Sequence, residues 1–279
     1  MARVLGVTTQ KGGVGKSTIV VHLAIALAAA GQKVLVIDAD HQANTTYSLG
    51  IPPNESDAAE TLDALVEDVR RPLTIRRFIP IEEEPDIRVD LVPASFSMSR
   101  IDFFVDLDDI KKRPSPAHIG KAIRATLDHS DYDWVIVDSP NHLGYWKHVT
   151  MVFADRLLIP VEASADYPLV GMIQEHEIID WVRFHENPRL RILGYVLTMV
   201  NQRTRIGQEA RERLDRETLK GPVFDTSIPL STEVQKAQIG PGNNLFLSAP
   251  RHPVTIAMVD LMKEVTERWP QEARSATQH

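Results

Sequence analysis

The chain has 279 residues, 43% of them hydrophobic, with no cysteine and a formal net charge of −7. That length and apolar content favour one large α/β domain over 1–279, closing in a polar tail at 270–279, rather than two small ones. The lack of cysteine excludes disulfides, Cys-ligated zinc and Cys-bound iron–sulfur clusters, and the acidic balance argues against a dedicated nucleic-acid-binding protein while allowing a local basic patch. No apolar run approaches the ~18 residues of a membrane span, and Met1-Ala2-Arg3 leads straight into a strand pattern. The expectation is a soluble, cytoplasmic protein without a signal peptide.

The first strand is Val4-Leu5-Gly6-Val7, short and β-prone. Gln10-Lys11-Gly12-Gly13-Val14-Gly15-Lys16-Ser17-Thr18 follows, and then an Ala-rich apolar run over 19–30 that suits a buried helix. A glycine-rich turn between strand and helix can hold a phosphate on converging backbone amides and a helix N-terminus. Gly12, Gly13 and Gly15 let the loop curl, Lys16 can set an ammonium against β- and γ-phosphates, and the Ser17 hydroxyl is placed to ligate Mg²⁺. The strict G-x-x-x-x-G-K-[ST] pattern fails at Gln10, and an extra lysine, Lys11, stands beside it. Next comes Val34-Leu35-Val36-Ile37, a continuous apolar run typical of a buried parallel strand, ending in Asp38-Ala39-Asp40-His41-Gln42-Ala43-Asn44. Ligands of open α/β sheets sit at the carboxyl ends of strands, so Asp40 is a candidate to orient an attacking water and Asp38 to support the magnesium shell. A solvated strand-to-loop turn is the alternative.

Residues 51–88 carry the weakest pattern: Pro52-Pro53 breaks the chain, 61–69 reads as a helix, and Glu82-Glu83-Glu84-Pro85-Asp86 reads as solvated acidic loop. Val89-Asp90-Leu91-Val92 predicts the third strand, 111–116 a basic, proline-broken loop, and 119–127 a helix. Trp134-Val135-Ile136-Val137-Asp138 is an apolar strand ending in an aspartate, the Walker B arrangement, in which Asp138 would hold Mg²⁺ through water opposite Ser17. Further strands are predicted over 157–162, 192–201 and 223–229, with helices over 166–181 and 253–269. Asn201, ending its strand, is a candidate for the base pocket.

The segment Lys11-Gly12-Gly13-Val14-Gly15-Lys16-Ser17-Thr18 resembles the deviant Walker A loop of the ParA/MinD family of P-loop ATPases, and the likeness runs over residues 3–269. The resemblance implies a doubly wound, mostly parallel sheet with helices on both faces, ATP and Mg²⁺ as ligands, and a sandwich homodimer. In that family Lys11 would reach the partner's nucleotide and Asp40 would be the hydrolytic residue. Ile228, Pro229 and Ser231 would border the adenine ring. This chain departs from the family pattern at His41 and at Asn141, both prolines in the family. With the phosphate loop beginning at residue 11, an N-terminal helix-turn-helix domain is not expected. The chain looks like the short, Soj-like type, whose ATP dimer binds DNA non-specifically and is released when a ParB-like, centromere-bound partner stimulates hydrolysis.

Non-specific DNA binding needs several cations on phosphates. Arg203, Arg205 and Arg211, continuing through Arg213, Arg216 and Lys220, are the best candidates, with Lys236 near the late loop. Glu209, Glu212, Asp215 and Glu217 alternate with them, which equally describes a salt-bridged solvated helix. A second expectation is a relative that positions a protein cargo or a division regulator rather than DNA. Membrane targeting is not expected, since 271–279 holds no apolar residue larger than alanine. A P-loop biosynthetic ligase or nucleotide kinase is a third class, one that would have no use for Lys11.

Overall fold

Seven largely apolar runs four to ten residues long and one three-residue edge strand, separated by helical stretches, form a single eight-stranded sheet in the computed structural model. It describes residues 1–52, 55–82, 84–103, 113–163, 169–216 and 219–269. Pro53, Glu83, the start of the basic loop at 111–112, the expected helix start at 166–168, Glu217 and the tail 270–279 lie outside the described residues.

The strands are β1 (Arg3–Val7), β2 (Val34–Asp38), β3 (Arg76–Phe78), β4 (Val89–Val92), β5 (Trp134–Asp138), β6 (Arg156–Glu162), β7 (Arg191–Val200) and β8 (Val223–Pro229). Their spatial order is β3-β4-β2-β5-β1-β6-β7-β8. All neighbours are parallel except β3, which pairs antiparallel with β4. The helices are α1 (Lys16–Ala29), α2 (Asn44–Ser48), α3 (Asp63–Glu67), α4 (Ser99–Phe103), α5 (Pro116–Asp128), α6 (Tyr145–Phe153), α7 (Leu169–His185), α8 (Arg205–Asp215), α9 (Thr232–Ala237), α10 (Leu245–Ser248) and α11 (Pro253–Arg268).

Alternation along the strands divides the core into two layers. Leu5, Val7, Val34, Val36 and Ile136 face α1 and α11 on one side. Val4, Leu35, Ile37, Val135 and Val137 face α5, α6 and α7 on the other. With both faces covered, the strands carry apolar residues at nearly every position, as parallel strands must. The chain reverses its direction of winding about β1, whose neighbours are β5 and β6, and the crevice at that switch point opens at the carboxyl ends of the strands.

Three elements differ from the sequence pattern. The helix expected over 61–69 is only Asp63–Glu67, because Asp68 leaves the helical region and its carboxylate accepts the Arg70 amide in a local turn. The edge strand β3 was not anticipated: it is three residues long and two of them are arginines. The helix expected to end at Trp181 continues to His185, drawn on by Val182, which is fully buried.

Both sheet edges are closed by charge. On β3, Arg76 pairs with Glu60, and Arg77 stands 3.5 Å from Asp90. On β8, the amides of Asp225 and Thr226 donate to the Glu264 carboxylate at 2.7 and 2.8 Å.

α5 and α6 approach closely at Gly120, where an added Cβ would lie 2.6 Å from the Cβ and Cγ1 of Val152. Gly120→Ala should therefore destabilise the fold by about 1–3 kcal/mol through overpacking, although alanine is the better helix former by ~1 kcal/mol. A urea melt should show the lower midpoint with an unchanged slope.

Candidate nucleotide-binding site

The loop between β1 and α1 is held open by two residues in the left-handed region, Gly13 (φ 77°) and Gly15 (φ 84°), conformations that a Cβ would strain. Gly15 is the N-cap of α1 and brings no side chain to the first turn, so the leading amides of this long helix face the loop. A helix N-terminus of that kind is a seat for an anion.

Register then builds the charge beneath the loop. Asp38 pairs with Asp138 across β2 and β5, and Asp138 with Val7 across β5 and β1. Two carboxylates are thereby set side by side, both fully buried. Lys16 answers them: its Nζ is 2.5 Å from Asp138 Oδ1 and 3.6 Å from Asp40 Oδ2. Burial pulls the Lys16 ammonium down, but Asp138, Asp40 and Asp38 together outweigh it and hold the lysine above its usual range. The second oxygen of Asp138 accepts from the Thr45 hydroxyl at 2.7 Å. Asp38 accepts from the Asp40 amide and from both the amide and hydroxyl of Thr46. Burial first, and Asp138 second, push the Asp38 carboxyl well above the usual carboxylate range.

The resulting cleft, about 520 Å³, is lined by Gly13, Val14, Gly15, Lys16, Ser17 and Thr18 on one wall. Asp40, Gln42, Asn44 and Asn141 stand at its phosphate end, while Ile228, Pro229, Ser231 and Gln235 close it on the other side. Gly12 lies against this end too: a Cβ there would be 3.6 Å from Asn141 Nδ2. Asp38 is engaged by its own loop rather than facing the cleft, and so braces the turn that carries Asp40. Asp138 lies beneath the cleft, its two oxygens taken by Lys16 and Thr45, while Ser17 and Asp40 line the cleft with hard oxygens beside a phosphate seat, the chemistry that suits Mg²⁺ shared with a nucleotide. Among the described residues no group of three or more His, Cys, Asp or Glu could hold a metal by itself.

Two residues lie elsewhere. Asn201 accepts the Arg203 amide and lines a neighbouring hollow that shares Pro229, Leu230 and Ser231 with the cleft. Thr198 and Met199 face the cleft from β7 instead, and Met199 does so in a left-handed conformation (φ 55°) that nothing in a methionine announces. Lys11 points out of the cleft: its Nζ is 2.5 Å from Glu162 Oε2 at the end of β6. It lines a separate hollow with Gln10, Met172 and His176.

The basic residues singled out in the sequence are spread over the surface. Arg205 pairs with Glu209 at 2.7 Å and Lys236 with Glu233 at 2.6 Å. Arg211 donates to the Phe224 carbonyl and reaches Asp225 and Asp215. Arg203 is exposed.

A fastening that the sequence did not disclose joins the loop to the far wall. His22 is buried in α1, its Nδ1 donating to the Thr18 carbonyl at 2.7 Å and its Nε2 accepting the Leu245 amide at 3.0 Å. Nearby, Gln238 Nε2 donates to Thr18 Oγ1 at 3.3 Å. The segment carrying the base-side wall is therefore tied directly to the phosphate-loop helix.

A glycine-rich loop at a helix N-terminus, a buried lysine and an aspartate ending the adjacent strand, at the switch point of a parallel sheet, define a P-loop nucleotide-binding protein. Residues 2–192 match the AAA_31 family, an AAA domain. The chain is 29% identical over 265 residues to the sporulation initiation inhibitor protein Soj of Bacillus subtilis, covering 95% of this chain and 98% of that one. It is 31% identical over 244 residues to the chromosome partitioning protein ParA of Caulobacter vibrioides, covering 84% and 83%. Among solved structures it is similar to cobyrinic acid a,c-diamide synthase from Mycobacterium smegmatis with bound ADP and magnesium, at 26% identity and TM-score 0.73 over 100% of both chains. It shares its fold with the ATP complex of Cyanothece McdA, at 24% identity and TM-score 0.72 over 99% of each. The chain belongs to the ParA/MinD family of P-loop ATPases. No helix among the described residues is long and apolar enough to cross a membrane.

Burial lowers the His22 pKa to about 4, with the Thr18 carbonyl opposing in part. Below about pH 6.5 the unfolded chain takes up a proton at this ring, and the folded chain does so only near pH 4. Stability should fall as pH drops through that window, by up to about 3 kcal/mol, and be unaffected by this group above it. Denaturation midpoints across the window should show a shallower acid slope in His22→Gln than in the unaltered protein.

Proposed function

We propose that the chain is a ParA-type partition ATPase that binds ATP and Mg²⁺ in the cleft and works as an ATP-dependent homodimer. The nucleotide's phosphates lie on the loop amides of 12–18 with Lys16 beside them. Ser17 would ligate the metal, and Asp138 would hold it through water. Asp38 would brace the turn that carries Asp40, and Asp40 would orient the attacking water. Ile228, Pro229 and Ser231 border the base. When bound, the metal would supply neutralisation of the phosphates' negative charge.

The observation that carries the dimeric reading is the position of Lys11. It stands beside the phosphate loop yet outside its own chain's cleft, paired with Glu162. A second cation there is surplus to one nucleotide and is available to a nucleotide presented by a facing copy. Lys11→Ala should therefore keep ATP affinity within about twofold while lowering turnover per site ~10-fold or more, an interaction made only in the transition state. Equal turnover in the two proteins, measured by phosphate release, would exclude a role for Lys11 across a dimer interface.

The homodimer would bind DNA without sequence preference, associate with the nucleoid, and be switched off by a ParB-like partner on centromere DNA. A second reading, a protein cargo or division regulator carried in place of DNA, is favoured by one feature: Arg205, Arg211 and Lys236 are each already paired with carboxylates. DNA retention titrated with salt, with and without ATP, separates the two. Partition predicts ATP-dependent binding of any sequence whose affinity falls steeply from about 50 to 200 mM salt. No retention at low salt with ATP would favour the protein cargo.

A further inference from the structure

Behind the cleft lies a charge pair that neither the phosphates nor the metal would touch. Lys147 on α6 is 1% exposed and Glu175 on α7 is 3% exposed, with Nζ 2.7 Å from Oε2. Two ions removed from water are seldom repaid in stability, and apolar residues of similar size pack such a site as well or better. The pair's other contacts are therefore the informative ones. Lys147 Nζ donates to the Thr9 carbonyl at 3.1 Å and reaches the Asn141 carbonyl at 3.5 Å. The remaining oxygen of Glu175 accepts from the Thr8 hydroxyl at 2.8 Å, and Ser139 Oγ lies 3.5 Å from that same hydroxyl.

Thr8 and Thr9 run into the phosphate loop, while Ser139 and Asn141 follow Asp138. These are the two loops that meet at the phosphate end of the cleft, where the Asn141 amide stands over Gly12. A lysine has three donors, and here all three acceptors belong to different segments: one loop, the other loop, and α7. Burial, opposed by Glu175, lowers the Lys147 pKa, and Lys16 adds to the lowering, so the ammonium is within electrostatic reach of the cleft's own lysine.

We propose that Lys147 and Glu175 are positioning residues for hydrolysis: they set the spacing between the entry to the phosphate loop and the Asn141 loop, and hence the geometry around the terminal phosphate. This rests on the reading of the cleft as the ATP site. The pair touches neither nucleotide nor water directly. Its removal should change the rate of the chemical step and leave ground-state binding in place.

The test uses the full chain with ATP and Mg²⁺. Lys147→Met alone leaves a carboxylate buried without its partner and should melt far lower. The double variant Lys147→Met/Glu175→Leu should melt within about 4 °C of the unaltered protein. In it, affinity for a fluorescent ATP analogue and KM should stay within about twofold, while kcat falls by about 10- to 100-fold. Glu175→Gln keeps the shape and an acceptor for Thr8, and should show a smaller kcat loss at unchanged KM. It decides the matter should the double variant not fold. An unchanged kcat in the folded variants would overturn the proposal, as would parallel losses of affinity and kcat, which mark a merely structural pair. If the unaltered chain binds no ATP, the nucleotide reading falls and this one with it. If it binds and turns over ATP while the variants match it, only this inference falls.

Discussion

Parallel pairing of β1, β5 and β2 forces Asp38 and Asp138 to end their strands side by side in the dry interior, and the rest of the site is arranged around that constraint. Two adjacent buried carboxylates are tolerable only with a cation or with donors enough to hold them. Lys16 supplies the first, reaching down from the N-terminus of α1, so the phosphate loop is tied to the sheet by charge as well as by its backbone. Thr45 and Thr46 supply the second, which fixes the turn carrying Asp40 against the same two strands. The arrangement thus holds both the loop that would seat phosphates and the carboxylate that would face them, from a single pair of register positions.

Much of this was legible before any coordinates, for reasons that differ from place to place. β1, β2 and β5 are buried on both faces, so each reads as an unbroken apolar run, and a run that stops at an aspartate marks the carboxyl end where ligands sit. The phosphate loop is legible because glycine is the residue that makes such a turn without strain. What stayed hidden has no local signature. β3 is short, with two arginines in its three residues, and pairs only with the edge that β4 offers. Met199 adopts its left-handed conformation under tertiary constraint. Asn201, which ends the β7 pattern by its residue type, begins a turn instead and faces a different hollow. His22 looks like one polar interruption in an apolar helix, and its partner Leu245 is distant in sequence. The Lys147–Glu175 pair is likewise invisible to periodicity, since each residue taken alone passes for a solvated position on an amphipathic helix.

The surface shows the same division. Alternating acids and bases on α8 allow either a patch for phosphates or a set of helix ion pairs, and side-chain geometry shows the pairs formed, Arg205 to Glu209 among them. Exposed pairs of this kind are weak, so they do not forbid exchange for another anion. They do mean that any polyanion must compete with carboxylates already in place. Lys11 differs in place: its partner, Glu162, ends β6 beside the phosphate loop rather than lying on the same helix.

The closed edges of the sheet have a consequence for assembly. An open edge strand is a template on which another chain can add, and it offers that template at all times, whatever ligand is bound. Here one edge is short and carries two arginines, while the other gives two of its amides, those of Asp225 and Thr226, to Glu264. Growth of the sheet from copy to copy is thereby disfavoured. Among the described residues, helical faces and the rim of loops at the strands' carboxyl ends are the other surfaces open to association, and a nucleotide seated in the cleft would add its phosphate charge to that rim. Blunting the edges disfavours a route to self-association that would be open whether or not a ligand is bound.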